Sequence, residues 1–216
     1  ILASKNKTII GWDEILESEI KTDAIVQSWR GFEGGIKAVK SGKKAIMSPT
    51  SNAYFDYSIS TTDLEKVYDF NPIPAGLNQY EQNLIIGGEC NLWSERILNE
   101  EGLDYKAFPR LLAMSEVLWT NPEEKNYLVF LQKVQNHYPI LKQLNVKYGP
   151  EANPVNIKLV KDSTKFFAII SSKVDGLKFK YKWGDLEYKN LDSSRRILVE
   201  KSRRLNVQAF KNESKY

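Results

Sequence analysis

The chain of 216 residues is 42% hydrophobic and 27% charged, a balance that describes a globular protein with room for a large core or two domains and excludes an intrinsically disordered one. Its net charge of +4 is unevenly spread, since residues 1–150 hold 16 Lys and Arg against 19 Asp and Glu, and residues 151–216 hold 15 against 8. The single cysteine, Cys90, excludes an internal disulfide, and no apolar stretch approaches the roughly 20 residues of a membrane-spanning helix.

Thr8 to Trp12 reads as a short strand, and Asp13-Glu14-Ile15-Leu16 starts the loop after it. Ala24 to Trp29 is a second strand, leading through Arg30 to Gly35 into a helix over Ile36–Lys40 that Gly42 closes. Lys44 to Met47 is a third strand. The turn residues Ser48 to Asn52 predict a loop, followed by Ala53-Tyr54-Phe55-Asp56-Tyr57. Thr62, with Glu65 three residues on, has the spacing of a capping box for a helix through Tyr68. The apolar run Leu84 to Ile86 is a fourth strand, ending in Gly87-Gly88 and followed by Glu89, Trp93 and Glu95. A helix is expected over about 105–119. Asn121-Pro122-Glu123-Glu124 then offers a cap, a proline at the first helical position and acidic residues for the helix dipole, so a long helix should follow, bent or broken near Pro139.

Strand alternating with helix calls for a parallel sheet, and four such units in about 120 residues match the spacing of a (β/α)8 barrel, which needs roughly 250 for all eight. The composition changes at Tyr148-Gly149-Pro150. The fold class expected is therefore α/β, with residues 1–149 as the C-terminal half of a TIM barrel (strands 5–8 and closing helices). Residues 150–216 should form a small all-β, sandwich-like module. There Val155, Ile157 and Leu159, then Phe179, Tyr181 and Trp183, then Leu205, Val207 and Ala209 alternate with polar residues, as half-exposed antiparallel strands do.

Each of the four first strands ends in an aromatic residue, a carboxylate or both: Trp12; Trp29; Tyr54 and Asp56; Trp93 and Glu95. In a barrel these ends converge on one mouth, where rings can stack on the apolar faces of a sugar and carboxylates can accept from its hydroxyls. Any one of these tryptophans taken alone reads as well as packing beneath a helix; four at equivalent places favour a carbohydrate site.

At GWDEIL (11–16), QSWRG (27–31), AYFDY (53–57) and GGECNLWSE (87–95), in order, the chain resembles the β-N-acetylhexosaminidases of glycoside hydrolase family 20. The resemblance implies a retaining mechanism in which the substrate's 2-acetamido carbonyl attacks the anomeric carbon. It implies that Tyr54 donates to the acetamido oxygen, that Trp12 and Trp29 wall the acetamido pocket and that Trp93 stacks beneath the pyranose. Glu95 and Asp56 would contact sugar hydroxyls. The family's catalytic Asp-Glu pair and its early-strand arginine have no match; Asp13-Glu14 follows Trp12 as in the fifth-strand motif and reads as a loop anchor. This chain alone is therefore expected to be inactive, and the start at Ile1 reads as internal to a longer protein or cut. A carbohydrate-binding protein without turnover is the alternative. The partners implied are N-acetylhexosamine-containing glycans or chito-oligosaccharides and the upstream half of the same barrel, with no nucleic acid, no cofactor and no metal. Composition leaves the compartment open, and the resemblance implies an extracytoplasmic one, secreted or periplasmic.

Other signals carry less. His137, the only histidine, lies on a helix far from the strand ends, and Cys90 has no histidine near it in sequence, so it reads as a buried thiol. Gly34-Gly35 and Gly87-Gly88 lack a phosphate-loop pattern. Asn6-Lys7-Thr8 and Asn212-Glu213-Ser214 fit the glycosylation sequon. The last third resembles the immunoglobulin-like C-terminal module of some hexosaminidases. Its basic charge, with Arg195-Arg196 and Arg203-Arg204, fits an anionic polymer or a solvated lysine-rich face, and the second is the reading adopted.

Overall fold

The computed structural model describes residues 2–18, 23–199, 203–211 and 214–215. The chain divides into two compact units, Ile1–Gly149 and Pro150–Tyr216.

The first unit is built on four parallel strands, β1 (Ile10–Trp12), β2 (Ile25–Ser28), β3 (Ala45–Met47) and β4 (Ile85–Gly88), hydrogen-bonded in the order β1-β2-β3-β4. They are short, and β2 and β3 are buried along most of their length, as strands covered on both faces must be. Helix α1 (Glu33–Lys40) joins β2 to β3, with Glu33 in its first turn and Lys37 and Lys40 in its last, each complementing the helix dipole. It packs so closely on the sheet that a Cβ on Gly35 would lie 2.3 Å from the Met47 sulfur, and one on Gly34 would collide with Asp13. Those glycines serve packing. Gly42, at φ +77°, ends the helix in a conformation that side chains rarely adopt. Between the sheet and its helices lies the core, centred on Val26, Met47, Phe55, Leu64, Phe70 and Val134.

Several elements depart from the sequence expectations. The Ser48–Asn52 stretch is not all loop, because Thr50–Ala53 forms a single helical turn (α2) started by Pro49 in extended conformation. Helix α3 (Leu64–Tyr68) is capped by Asp63, whose carboxylate accepts from the Lys66 amide at 2.9 Å; Thr62 is buried instead, its carbonyl turned to Arg110. A helix absent from the sequence reading, α4 (Gln79–Asn83), precedes β4, and Asn78 and Glu81 form a reciprocal capping box there. The helix expected over 105–119 is two, α5 (Glu100–Ala107) and α6 (Arg110–Trp119), divided at Pro109, which has no amide hydrogen to continue the first. Asn121 and Pro122 begin only a 3-10 turn, and the long helix α7 (Tyr127–Gln143) takes its cap from Asn126 and runs unbroken through Pro139. Among the described residues no helix is long and apolar enough to cross a membrane.

In the second unit the described regular elements are all strands. β5 (Asn156–Asp162), β6 (Lys165–Ser171) and β9 (Arg196–Leu198) form one antiparallel sheet in the order β5-β6-β9. β7 (Lys178–Trp183), β8 (Lys189–Asn190), β10 (Leu205–Lys211) and β11 (Ser214–Lys215) form the other, ordered β11-β10-β7-β8. Ala168 and Ile170 from the first sheet and Phe179, Trp183 and Ala209 from the second share one core. The alternation in β5 does not translate into burial: Ile157 and Leu159 are 49% and 66% exposed. Of the two sequon triplets, Asn212-Glu213-Ser214 lies partly outside the described residues.

Candidate active site

The chain segments that follow the carboxyl ends of the four strands are stitched to one another. The Ser48 amide donates to the Ser28 carbonyl at 2.8 Å, and Thr50 to Trp29 at 2.9 Å, joining the segments after β2 and β3. Tyr54 and Asn91 form a parallel bridge in which the Asn91 amide donates to Ala53 and the Phe55 amide to Asn91, both at 2.8 Å. The buried side-chain amide of Asn91 donates through Nδ2 to the Ser48 hydroxyl at 2.5 Å. This sets the segment carrying Tyr54 beside the one carrying Trp93.

The aromatic side chains form a connected set. Trp29 and Tyr54 lie 6.3 Å apart between ring centroids, and Tyr54 and Tyr57 lie 5.8 Å apart. Trp93 lies near enough to the Tyr54 hydroxyl for its indole N–H to lower the phenol's pKa. Trp12 and Trp93 come within 6.0 Å although their strands are the two outer ones of the sheet, which would stand about 14 Å apart in a flat ladder. The two indoles therefore close over the ends of β2 and β3. Tyr54 is buried while Trp93 is 42% exposed, so the set runs from the interior to an open surface. Burial raises the Tyr54 pKa above its ordinary value of 10, against the lowering effect of the Trp93 indole. At neutral pH the phenol is a hydrogen-bond donor.

Asp56 is buried, its Oδ2 lies 3.9 Å from Nε of Arg96, and its Oδ1 has no hydrogen-bond partner among the described residues. Buried carboxylate oxygens are rarely left so, and those that are tend to serve a ligand. Glu95 sits on the 3-10 turn Ser94–Arg96 and is exposed. The fold therefore joins Trp12, Trp29, Tyr54 and Trp93, places Asp56 two residues from Tyr54, and leaves Glu95 at the rim.

Asp13 and Glu14 hold the loops together. Asp13, 2% exposed, accepts from Arg30 Nε at 2.6 Å and from the amides of Trp29 and Arg30 at 3.2 and 3.3 Å. Glu14 accepts the Trp29 indole N–H at 3.0 Å, which lowers the pKa of the carboxylate. Two groups near the site were not singled out from sequence. Arg96 lies over the Tyr57 ring at 4.7 Å, and Gln27 on β2 donates to Glu89 at 2.6 Å. Only adjacency to Glu95 marked Arg96 in the sequence. Cys90 is half-buried against the core, and burial pushes its thiol pKa up; His137 is exposed and bonded through Nδ1 to the Lys133 carbonyl. Among the described residues no three His, Cys, Asp or Glu side chains are grouped to hold a metal ion.

Parallel strands that deliver rings and carboxylates past their carboxyl ends have the layout of an α/β enzyme scaffold. Residues 1–122 match the family model described as glycosyl hydrolase family 20, catalytic domain, and the chain belongs to that family. It is 36% identical over 160 residues to a beta-hexosaminidase of Porphyromonas gingivalis, a match covering 68% of this chain and 21% of that protein. A beta-N-acetylhexosaminidase of Cellulomonas fimi is 26% identical over 165 residues, covering 68% of this chain and 32% of that one. Among solved structures, the exo beta-N-acetylglucosaminidase of Vibrio harveyi in complex with N-acetylglucosamine superposes with a TM-score of 0.63 at 25% identity, covering 70% of this chain and 26% of that one. The chain thus spans about a fifth to a third of the length of the curated relatives it matches.

Proposed function

We propose that this chain supplies the acetamido-binding half of an exo-acting β-N-acetylhexosaminidase that releases terminal β-linked N-acetylglucosamine or N-acetylgalactosamine. The observation that carries this reading is the connected set Trp12, Trp93, Tyr54 and Trp29 at the ends of parallel strands, in a chain of glycosyl hydrolase family 20. A ring of indoles and phenols around a buried hydroxyl donor suits a small, flat, neutral amide attached to a sugar.

In this reading the acetamido oxygen of the substrate attacks the anomeric carbon, and the bond to the leaving-group oxygen breaks with its electron pair going to that oxygen. A general acid outside the family motifs of this chain protonates the leaving group. Water then attacks the anomeric carbon of the oxazolinium intermediate as the deprotonated acid takes its proton, and the ring bond from that carbon to the acetamido oxygen breaks, which restores the acetamido group with net retention. Tyr54 donates to the acetamido oxygen and fixes its approach. Trp12 and Trp29 enclose the acetamido group and exclude water, and Trp93 stacks beneath the ring. Asp56 and Glu95 accept from ring hydroxyls. A neutral amide is a weak nucleophile, so enforced geometry supplies much of the rate.

The four strands then correspond to strands 5–8 of a (β/α)8 barrel. Ile10 on β1 and Ile86 on β4 support this, being 53% and 48% exposed on the two outer strands, since apolar outer strands call for a covering partner. With the acid supplied from elsewhere, residues 1–216 alone are inactive.

The test is release of 4-nitrophenol from the aryl N-acetyl-β-glucosaminide and β-galactosaminide by the natural full-length protein, with the aryl β-glucoside as control. Turnover of an acetamido sugar and not of the glucoside is expected. Absence of turnover in a folded protein that still binds N-acetylglucosamine would leave the non-catalytic binding protein as the better reading.

A further inference from the structure

The second unit contains a cleft of about 700 Å³ between β7 and the segment that leads from β8 to β9. One wall carries Lys178 and Lys180, which point the same way because they alternate along β7 with the buried Phe179. Asn190 and Arg195 also line the cleft, Arg195 from the side of β7 on which Phe179 lies. Phe210, paired with Lys178 across the ladder to β10, forms part of the lining, and Lys180 lies over its ring at 5.0 Å.

Arg195 is held for display. Its backbone is left-handed, at φ +52°, which a non-glycine residue keeps only when its surroundings fix it. The Arg195 amide donates to Asp192 at 3.1 Å, the Ile170 amide donates to the Arg195 carbonyl at 2.9 Å, and the guanidinium lies 5.1 Å over the Phe179 ring. Asp192 is the carboxylate of the lining, and it is engaged within its own turn, its Oδ1 accepting from the Ser194 amide at 2.9 Å and from the Ser194 hydroxyl at 2.5 Å. Among the described residues none of the three cations forms an ion pair.

A solvated basic face has no need of a concavity, an aromatic lining or a strained arginine. We propose that this cleft binds an acidic glycan, one carrying sulfate or uronic carboxylate groups, with Lys178, Lys180 and Arg195 on the anionic groups, Phe210 against a ring face and Asn190 on a hydroxyl. The volume is that of a ligand of a few sugar rings. Three cations spread along the lining suit charges distributed along a chain. The choice of a glycan over another polyanion rests on the glycosidase reading of the first unit; the charge and shape of the cleft do not.

The test is titration of the full-length protein with a sulfated tetrasaccharide, a neutral chitotetraose and a single-stranded oligonucleotide of matched charge, by calorimetry at low and at physiological salt. The same titrations are made on the triple variant Lys178→Gln, Lys180→Gln, Arg195→Gln, with circular dichroism to establish its fold and aryl-glycoside turnover to report on the first unit. The sulfated sugar should bind, weaken with salt and lose at least about tenfold in affinity in the triple variant, with turnover unchanged. A second variant, Arg195→Lys, keeps the charge and should retain most of the binding. Equal affinity in the folded triple variant, no binding of the sulfated sugar, or an oligonucleotide bound as tightly as the sugar would each overturn the proposal. Loss of aryl-glycoside turnover in the wild type is a separate result and bears on the first unit alone.

Discussion

The guanidinium of Arg110 lies 4.8 Å over the ring of Phe55 and donates through Nη2 to the carbonyl of the same residue at 2.5 Å. Arg110 is 1% exposed, the largest of the fully buried side chains, and also donates to the carbonyls of Thr62 at 3.0 Å and Lys106 at 2.9 Å. Burial lowers its pKa to about 10, so it is charged at neutral pH. One turn earlier, Lys106 donates to the carbonyl of Asp56. The backbone on either side of the Tyr54 and Asp56 side chains is therefore pinned by two cations from the helices after β4.

Arg110→Met should be severely destabilising, because it leaves buried carbonyls at Phe55 and Thr62 without donors. Each such orphan costs about 1–3 kcal/mol, and a total of about 3–5 kcal/mol is expected from urea unfolding of the full-length protein. Arg110→Lys can reach only part of the set and should fall between. If both variants unfold within about 1 kcal/mol of wild type, the brace contributes nothing and the loop is held by the Asn91 bridge alone.

Asp56 carries both a contact and a charge. Its Oδ1 is unpartnered among the described residues and Arg96 lies at 3.9 Å, while its charge also offsets the buried cation Arg110 and the neighbouring Lys106. Asp56→Asn should therefore lower stability by about 1–3 kcal/mol, while raising KM for the aryl glycoside about tenfold or more. Thermal unfolding and steady-state kinetics on one preparation decide it. A destabilised variant with normal KM would make Asp56 structural.

What the sequence made legible follows from what is local. Trp12, Trp29, Tyr54 and Trp93 could be read because each follows a short apolar run by a few residues, and parallel pairing brings such positions to one end of a sheet. Arg110 could not, since an arginine at the start of a helix reads as surface and its acceptors are some 50 residues away in sequence. The same holds for the split at Pro109, where the apolar pattern continues across a break in the backbone. The cap of α3 moved by one residue, from Thr62 to Asp63, because Thr62 is buried and its carbonyl is engaged by Arg110.

Glu14 gives a pH-dependent prediction. Its hydrogen bond from the Trp29 indole lowers its pKa below its ordinary value of 4.5. A carboxylate depressed on folding contributes above its unfolded pKa, and that contribution fades as pH falls through the folded value. Glu14 is exposed, so its effect on global stability is small; the larger effect is on the placement of Trp29. Glu14→Gln should raise KM about three- to tenfold at pH 6 with little change in kcat. The ratio of variant to wild-type KM should then approach one only as pH falls through the lowered folded pKa of Glu14, below which both side chains are neutral. A ratio that stays constant across this range would show that the charge of Glu14 plays no part in seating Trp29.

Tyr54→Phe tests the chemistry most directly. The phenol is buried and has a pKa raised above 10, so it offers a proton and no charge throughout the neutral range. If it orients and polarises the acetamido oxygen, removing the hydroxyl costs what a lost transition-state donor costs, about 10²–10³ in kcat. Stability should change by no more than about 1–2 kcal/mol, since the ring stays and one hydrogen bond goes. The wild-type rate should also fall steeply along a series of substrates with increasingly fluorinated acetamido groups, because fluorine weakens the carbonyl oxygen as a nucleophile. A folded Tyr54→Phe variant with undiminished kcat would remove Tyr54 from the reaction. A flat response to fluorination would remove the acetamido group as nucleophile, and the aromatic set would then be a binding surface only.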